Sequence, residues 1–146
     1  MIYPPEKLSD SFLDTFFAPE ALTYKNFFEC EKCHADKACR KFYIKDPPEV
    51  LTISLKRFNN NLSKNNAVVR PPYRLDLEGH CINKGPLLYE LFAISEHGGT
   101  ARGGHYVAHT RRGAEWNYFS DSTIRNESWE KARSSQPYIL FYKRIE

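Results

Sequence analysis

No run of apolar residues approaches the roughly 20 that a membrane-spanning helix needs, so the sequence argues against a membrane protein. The first residues, Met1-Ile2-Tyr3-Pro4-Pro5, have neither a basic nor an apolar stretch, so a secretory leader is not expected. Cysteine is scarce, four in 146 residues, too few for a disulfide-built scaffold. A reducing cytoplasm or nucleus is the expected setting. Charge of one sign is not concentrated anywhere. The net charge is +3, acidic and basic residues are interspersed, and no basic stripe points to nucleic acid. Internal repeats and low-complexity segments are also missing. Above all, no cysteine or serine stands in an obvious nucleophile setting. Cys81, in Gly79-His80-Cys81-Ile82, has nothing around it that would activate a thiol.

What is present is enough for one folded domain. A chain of this length buries about 70% of its unfolded surface, and aromatic residues make up 14% of it. Ser9 is positioned to cap a short helix with Leu8, Phe12, Leu13 and Phe16 on one face. Cys30-Glu31-Lys32-Cys33 opens a basic, polar segment that Pro47-Pro48 closes. After the prolines the period changes to two. Leu51, Ile53 and Leu55 alternate with Thr52, Ser54 and Lys56, as in a half-buried strand. A polar loop is expected at 59–66 and a central strand at 87–95. Residues 98–104, rich in glycine, read as a flexible loop. Strands follow at 106–110, 115–119 and 138–143, with a turn at Arg112-Gly113 and a helical turn over 126–132. The class is α+β: a small helical N-terminal piece before a mostly antiparallel sheet.

One stretch carries candidate chemistry. Gly103-Gly104-His105-Tyr106 places a histidine at the start of a strand, and Phe119-Ser120-Asp121-Ser122 ends the next one. Adjacent antiparallel strands would set Ser120 or Asp121 beside His105, the arrangement that orients an imidazole base. Histidine suits that work because its ordinary pKa lies near 6.5. The glycines leave room for a substrate chain to come close. On its own, Gly-Gly-His is a weak motif, more readily read as a surface histidine in a hairpin. His34, His80, His97 and His109 read as structural or solvated.

The order of segments gives the motif its context. Val50-Leu51-Thr52-Ile53-Ser54-Leu55-Lys56-Arg57-Phe58 resembles a signature strand of the ubiquitin-specific proteases. Tyr89-Glu90-Leu91-Phe92-Ala93-Ile94, His97-Gly98-Gly99, Gly103-Gly104-His105-Tyr106-Val107-Ala108, Trp116 with Phe119, Asp121 and Ser122, and Tyr138-Ile139-Leu140-Phe141-Tyr142 look like that family too. They occur in its order and at its approximate spacing, and Leu8-Ser9-Asp10-Ser11-Phe12-Leu13 resembles its mid-domain helix. The resemblance implies a papain-like cysteine protease fold, likened to a hand. It implies an incomplete hand: about 1–46 a helix and a zinc-ribbon-like remnant of the fingers, and about 47–146 the palm sheet. It implies a thiol-dependent deubiquitinase that cuts after the terminal glycine of ubiquitin, with ubiquitin or ubiquitinated proteins as partners. His105 would be the general base. Gly98, Gly99, Gly103, Gly104 and Tyr106 would line the groove for ubiquitin's tail.

Three departures from the family pattern shape the expectations. The family's nucleophile box, an Asn-containing segment opening a helix, is absent from these residues. The chain alone is therefore expected to be close to inactive, since losing a triad nucleophile costs on the order of 10^6 in kcat elsewhere. The remainder would lie on another segment or another chain. Second, Ser120 stands where family members usually carry Asn or Asp, with Asp121 next. Strand alternation lets only one of them face His105, Ser120 by position or Asp121 if a bulge intervenes. Third, Cys30 and Cys33 have the spacing of half a tetrahedral zinc site, with His34 and Cys39 nearby. Structural zinc is the one cofactor considered, and the chemistry itself needs none. The alternatives are a non-catalytic ubiquitin- or partner-binding module and a small zinc-organised interaction domain.

Overall fold

A computed structural model describes residues 12–23, 29–83 and 85–145. In chain order the elements are α1 (Phe12–Phe17), β1 (Glu20–Thr23), β2 (Lys37–Arg40), β3 (Val50–Ser54), β4 (Arg74–Asp76), a 3-10 turn (Glu78–His80), β5 (Leu88–Thr100), β6 (Gly103–Arg112), β7 (Glu115–Ser120), β8 (Thr123–Glu127), α2 (Trp129–Arg133) and β9 (Pro137–Arg144). β1 and β2 form a separate, exposed ribbon. The other strands make one antiparallel sheet in the order β3-β9-β5-β6-β7-β8, with β4 paired to the start of β5. The mostly antiparallel α+β architecture is the expected one.

Period-two patterning explains which face is covered. Ile53 and Leu55 turn inward from β3 and the residue after it, and Arg57 takes the next inward position. Its guanidinium would be costly there without partners. It donates to the carbonyls of Pro137 (2.6 Å), Asn65 (2.9 Å) and Ala67 (2.9 Å), so the side chain clamps the 58–67 loop to β9. In β5, Tyr89 and Leu91 point into the core, and the register shift at Phe92 brings Ile94 to the same face. Leu140 and Tyr142 of β9, Trp116 of β7 and Ala132 of α2 complete this layer. Leu13 and Phe17 of α1 cap its far side. Each large aliphatic or phenylalanine side chain among them contributes about 1.5–3 kcal/mol when fully buried. The hydroxyls of the inward tyrosines find acceptors: Tyr89 donates to Pro48 and Tyr142 to Pro72.

Several sequence expectations need correction. The α1 face is set by Leu13 and Phe17, whereas Phe16 is 40% exposed; Leu8 and Ser9 lie outside the described residues. Residues 98–104 are no flexible loop. Gly98, Gly99 and Thr100 end β5, Gly103 and Gly104 begin β6, and only Ala101 and Arg102 form the tip. The helical turn begins at Trp129, and Asn126 and Glu127 belong to β8 instead. Ser128 ends the strand and caps α2, its hydroxyl accepting from the Lys131 N–H.

Candidate functional site

The site grows from the β5–β6 hairpin. His105 pairs with Gly98 across the ladder, Gly99 with Gly104, and Thr100 with Gly103. Two of these positions are tight. A Cβ on Gly104 would collide with the Gly98 carbonyl and with His97 Nε2. One on Gly99, at φ 130°, would meet the Gly103 carbonyl at 2.6 Å. Gly103 has open space instead. The glycines therefore serve strand approach, not mobility.

On one face of the hairpin stands His105, its side chain half exposed. The β6–β7 ladder ends at Ala108 opposite Phe119, so His105 and Ser120 face each other just beyond the last pair. His105 Nε2 and Ser120 Oγ are 2.8 Å apart. Asp121 leaves the strand in a left-handed conformation, φ 47°. That turn breaks the alternation and brings Asp121 Oδ2 to 3.9 Å from the same nitrogen. Both expected partners thus approach His105, against the reading that only one could. Ser120 is at hydrogen-bonding distance, and Asp121, 84% exposed, only at the range of a solvated ion pair. Among the described residues no cysteine is hydrogen-bonded to this ring.

On the other face His97 is buried among Phe58, Tyr106 and Tyr138, with ring centroids 4.6–5.8 Å away. Tyr106 stays half exposed, and Lys64 Nζ donates to the His97 carbonyl. Cys81 sits by the 3-10 turn, bridged to Ile44, and burial pushes its thiol pKa up. A partly buried thiol whose pKa is raised is a poor nucleophile. His80 stacks on Phe17 and lies 3.2 Å from Asp14, while His34 is exposed beside Glu29.

Sequence reading passed over one cluster. His109 is 4% exposed and lies between two carboxylates: Nδ1 is 2.6 Å from Glu127, and Nε2 is 3.3 Å from Glu96. Burial disfavours the imidazolium, but bonds to Glu96 and Glu127 overcome it and raise the pKa of His109. The bond to His109 in turn lowers that of Glu96. A period-two reading marks 105, 107 and 109 as one face, which is the only sequence signal that groups His109 with His105.

Cys30 and Cys33 flank a tight turn, closed by His34 N–H to the Cys30 carbonyl at 2.8 Å, with His34 at φ 54°. The N–H groups of Cys33 and Lys32 reach the Cys30 sulfur and lower its pKa. This favours the thiolate a zinc ion needs. Among the described residues no third or fourth ligand joins the pair: Cys39 is on exposed β2, and no group of three suitable side chains occurs. The two cysteines fit half a four-ligand site.

Comparison with known proteins agrees with the topology. A family model described as ubiquitin carboxyl-terminal hydrolase matches residues 7–142. The chain is 41% identical over 122 residues to "Ubiquitin carboxyl-terminal hydrolase 2" of Bos taurus, covering 78% of this chain and 20% of that one. It is 34% identical over 142 residues to "Ubiquitin carboxyl-terminal hydrolase 8" of Arabidopsis thaliana, covering 91% and 16%. The chain thus spans a fifth or less of the length of these relatives. Among solved structures it resembles a Ubp8/Sgf11/Sus1/Sgf73 SAGA DUB module bound to ubiquitin aldehyde. The TM-score is 0.85 at 30% identity, over 99% of this chain and 35% of that one. A yeast SAGA DUB module gives a TM-score of 0.89 at 31% identity, over 99% and 34%.

Proposed function

Since the chain belongs to the ubiquitin carboxyl-terminal hydrolase family, we propose that it supplies the histidine-bearing part of a thiol-dependent deubiquitinase. The observation that carries this is the His105–Ser120 contact at the mouth of a glycine-floored hairpin. His105 takes the proton of a cysteine that is not one of the four present, and the thiolate attacks the carbonyl of ubiquitin's terminal glycine. The imidazolium then protonates the leaving amine, and water, deprotonated by the same ring, releases ubiquitin from the acyl-thiol. Ser120 holds Nε2, which leaves Nδ1 for the thiol, and Asp121 adds a screened charge. Gly98, Gly99, Gly103 and Gly104 make a wall low enough for a Gly-Gly tail, with Tyr106 alongside.

The test is a fluorogenic ubiquitin substrate with the full-length protein that carries this sequence. His105→Ala is expected to lower kcat by at least about 10³-fold. Ser120→Ala removes one neutral hydrogen bond, worth about 1 kcal/mol, for a loss of about fivefold to tenfold. Asp121→Asn should cost less than Ser120→Ala. Near-full turnover in His105→Ala would overturn the assignment. A second reading, ubiquitin binding without cleavage, is favoured by the absence of a thiol bonded to His105 among the described residues. Saturable ubiquitin binding with no turnover in the full-length protein would select it. We also propose that Cys30 and Cys33 contribute two ligands to a structural zinc ion. Stoichiometric zinc in the full-length protein, lost in Cys33→Ser, is the expected result, and equal zinc in both would remove the proposal.

A further inference from the structure

The Glu96–His109–Glu127 cluster has no part in the reaction just described, and it lies on the same strand face as His105. Glu127 is the anomaly. The other four residues of β8 are exposed, whereas the Glu127 side chain is 1% exposed and its Oε2 has no hydrogen-bond partner. A carboxylate that deeply withdrawn from an edge strand needs a strong reason. It reaches back across β7 to His109 on β6, and through the other ring nitrogen the tie continues to Glu96 on β5. One imidazole thus joins three strands.

The location of that tie matters. β8 is an edge strand, laddered only to β7. Ser120 ends β7 and pairs with Thr123 at the start of β8, so the turn bearing Ser120 and Asp121 belongs to the β7–β8 hairpin. The β6–β7 ladder stops at Ala108, short of His105. Five backbone pairs hold β7 on β6 up to Ala108–Phe119, Ser120 and His105 lie beyond them, and Glu127–His109 is a buried side-chain link that adds a tie between β8 and β6. The groups facing this link are few. Tyr118 of β7 packs edge-on at 5.4 Å and itself carries Arg125 of β8. Glu96 is faced by Lys64, Arg57 and the backbone N–H of Gln136. Arg111, further along β6, is held by Glu90. Among the described residues the ion pair made by Glu127 is the one to His109.

We propose that Glu96, His109 and Glu127 form a charge-sensitive latch that positions Ser120 against His105, with protonated His109 as its closed state. Loss of the His109 proton leaves two carboxylates without their shared cation, β8 and the turn at 121–122 beyond the β6–β7 ladder shift, and His105 loses Ser120. His109 is a positioning residue that acts through Ser120. The role of His105 rests on the function proposed above; the latch itself is a property of this chain's own side chains.

The experiment follows the side-chain nitrogens of the five histidines in isotope-labelled chain by long-range proton–nitrogen spectra, from mildly acid to alkaline pH. The expected result is that His109 stays doubly protonated above the usual histidine midpoint near 6.5. When it deprotonates, the Nε2 signal of His105 shows a second step at the same pH. In Glu127→Gln, which keeps the shape and removes the charge, both steps move together to lower pH. His109 titrating at the ordinary midpoint, or His105 showing no step where His109 titrates, would overturn the latch. The wild-type titration alone decides this if the variant folds poorly. Failure of ubiquitin turnover with the linked steps intact would instead count against the proposed function.

Discussion

At the residue scale the most demanding position is Gly104. Its missing Cβ is where His97 and the Gly98 carbonyl already stand. Gly104→Ala is expected to destabilise the chain by about 1–3 kcal/mol through overpacking and to displace His105, its neighbour. Gly103→Ala, with nothing within 4 Å of the new carbon, should stay within about 0.5 kcal/mol of the parent. Urea unfolding of both variants checks the pair; equal losses would mean that the close approach is not what selects glycine. From sequence, the two glycines were visible but not their distinction, because it comes from His97, seven residues upstream and on the facing strand. The pairing of His105 with Ser120 was legible from two adjacent strands. The approach of Asp121 was not, since nothing in Phe119-Ser120-Asp121-Ser122 announces a left-handed residue at 121.

At the element scale, β8 and α2 show how a short polar stretch takes its structure from its surroundings. Thr123–Glu127 has no apolar alternation, so the pattern that reveals β3 fails here. The strand exists because the turn at 121–122 folds it back onto β7. α2 is five residues long and could not persist alone. It is held by Ala132 in the core, by Trp129 against Trp116 at 5.2 Å, and by the Ser128 cap. Ser128→Ala is expected to cost about 1 kcal/mol. The same unfolding measurement reads it, and Ser128→Asp should restore most of the loss. No difference between Ser128→Ala and the parent would show that tertiary packing alone sets the start of α2.

At the scale of the whole molecule, the His109 cluster makes stability depend on pH. A histidine whose folded pKa is raised contributes fully below its unfolded value, about 6.5, and loses that contribution as pH rises through the folded value. Glu96, with a lowered folded pKa, contributes above about 4.3 and loses it as pH falls through its folded value. Together they place a plateau between about pH 4.5 and 6.5, with a decline on the alkaline side. Urea midpoints across this range should show that decline in the parent and a flatter alkaline limb in His109→Gln. An unchanged limb in the variant would assign it to another group. The sheet as a class was legible throughout, because strands such as β3, β5 and β9 carry strong apolar signals. Buried charges were not legible, since burial of Glu127 depends on a partner 18 residues away on another strand.

The place of β9 in the sheet also governs when the domain can come into being. The strand lies between β3 and β5, pairing Lys143 back to Val50 and Ile139 back to Ser95. The slot it fills is therefore prepared early in synthesis and occupied late. The His105 and Ser120 strands are neighbours in sequence and can pair locally as they emerge, with little loop entropy to overcome. The frame behind them cannot close until residues 137–144 arrive. A nascent chain thus carries its reactive hairpin before its sheet is complete, with the inner edges of β3 and β5 exposed as strand templates for a time.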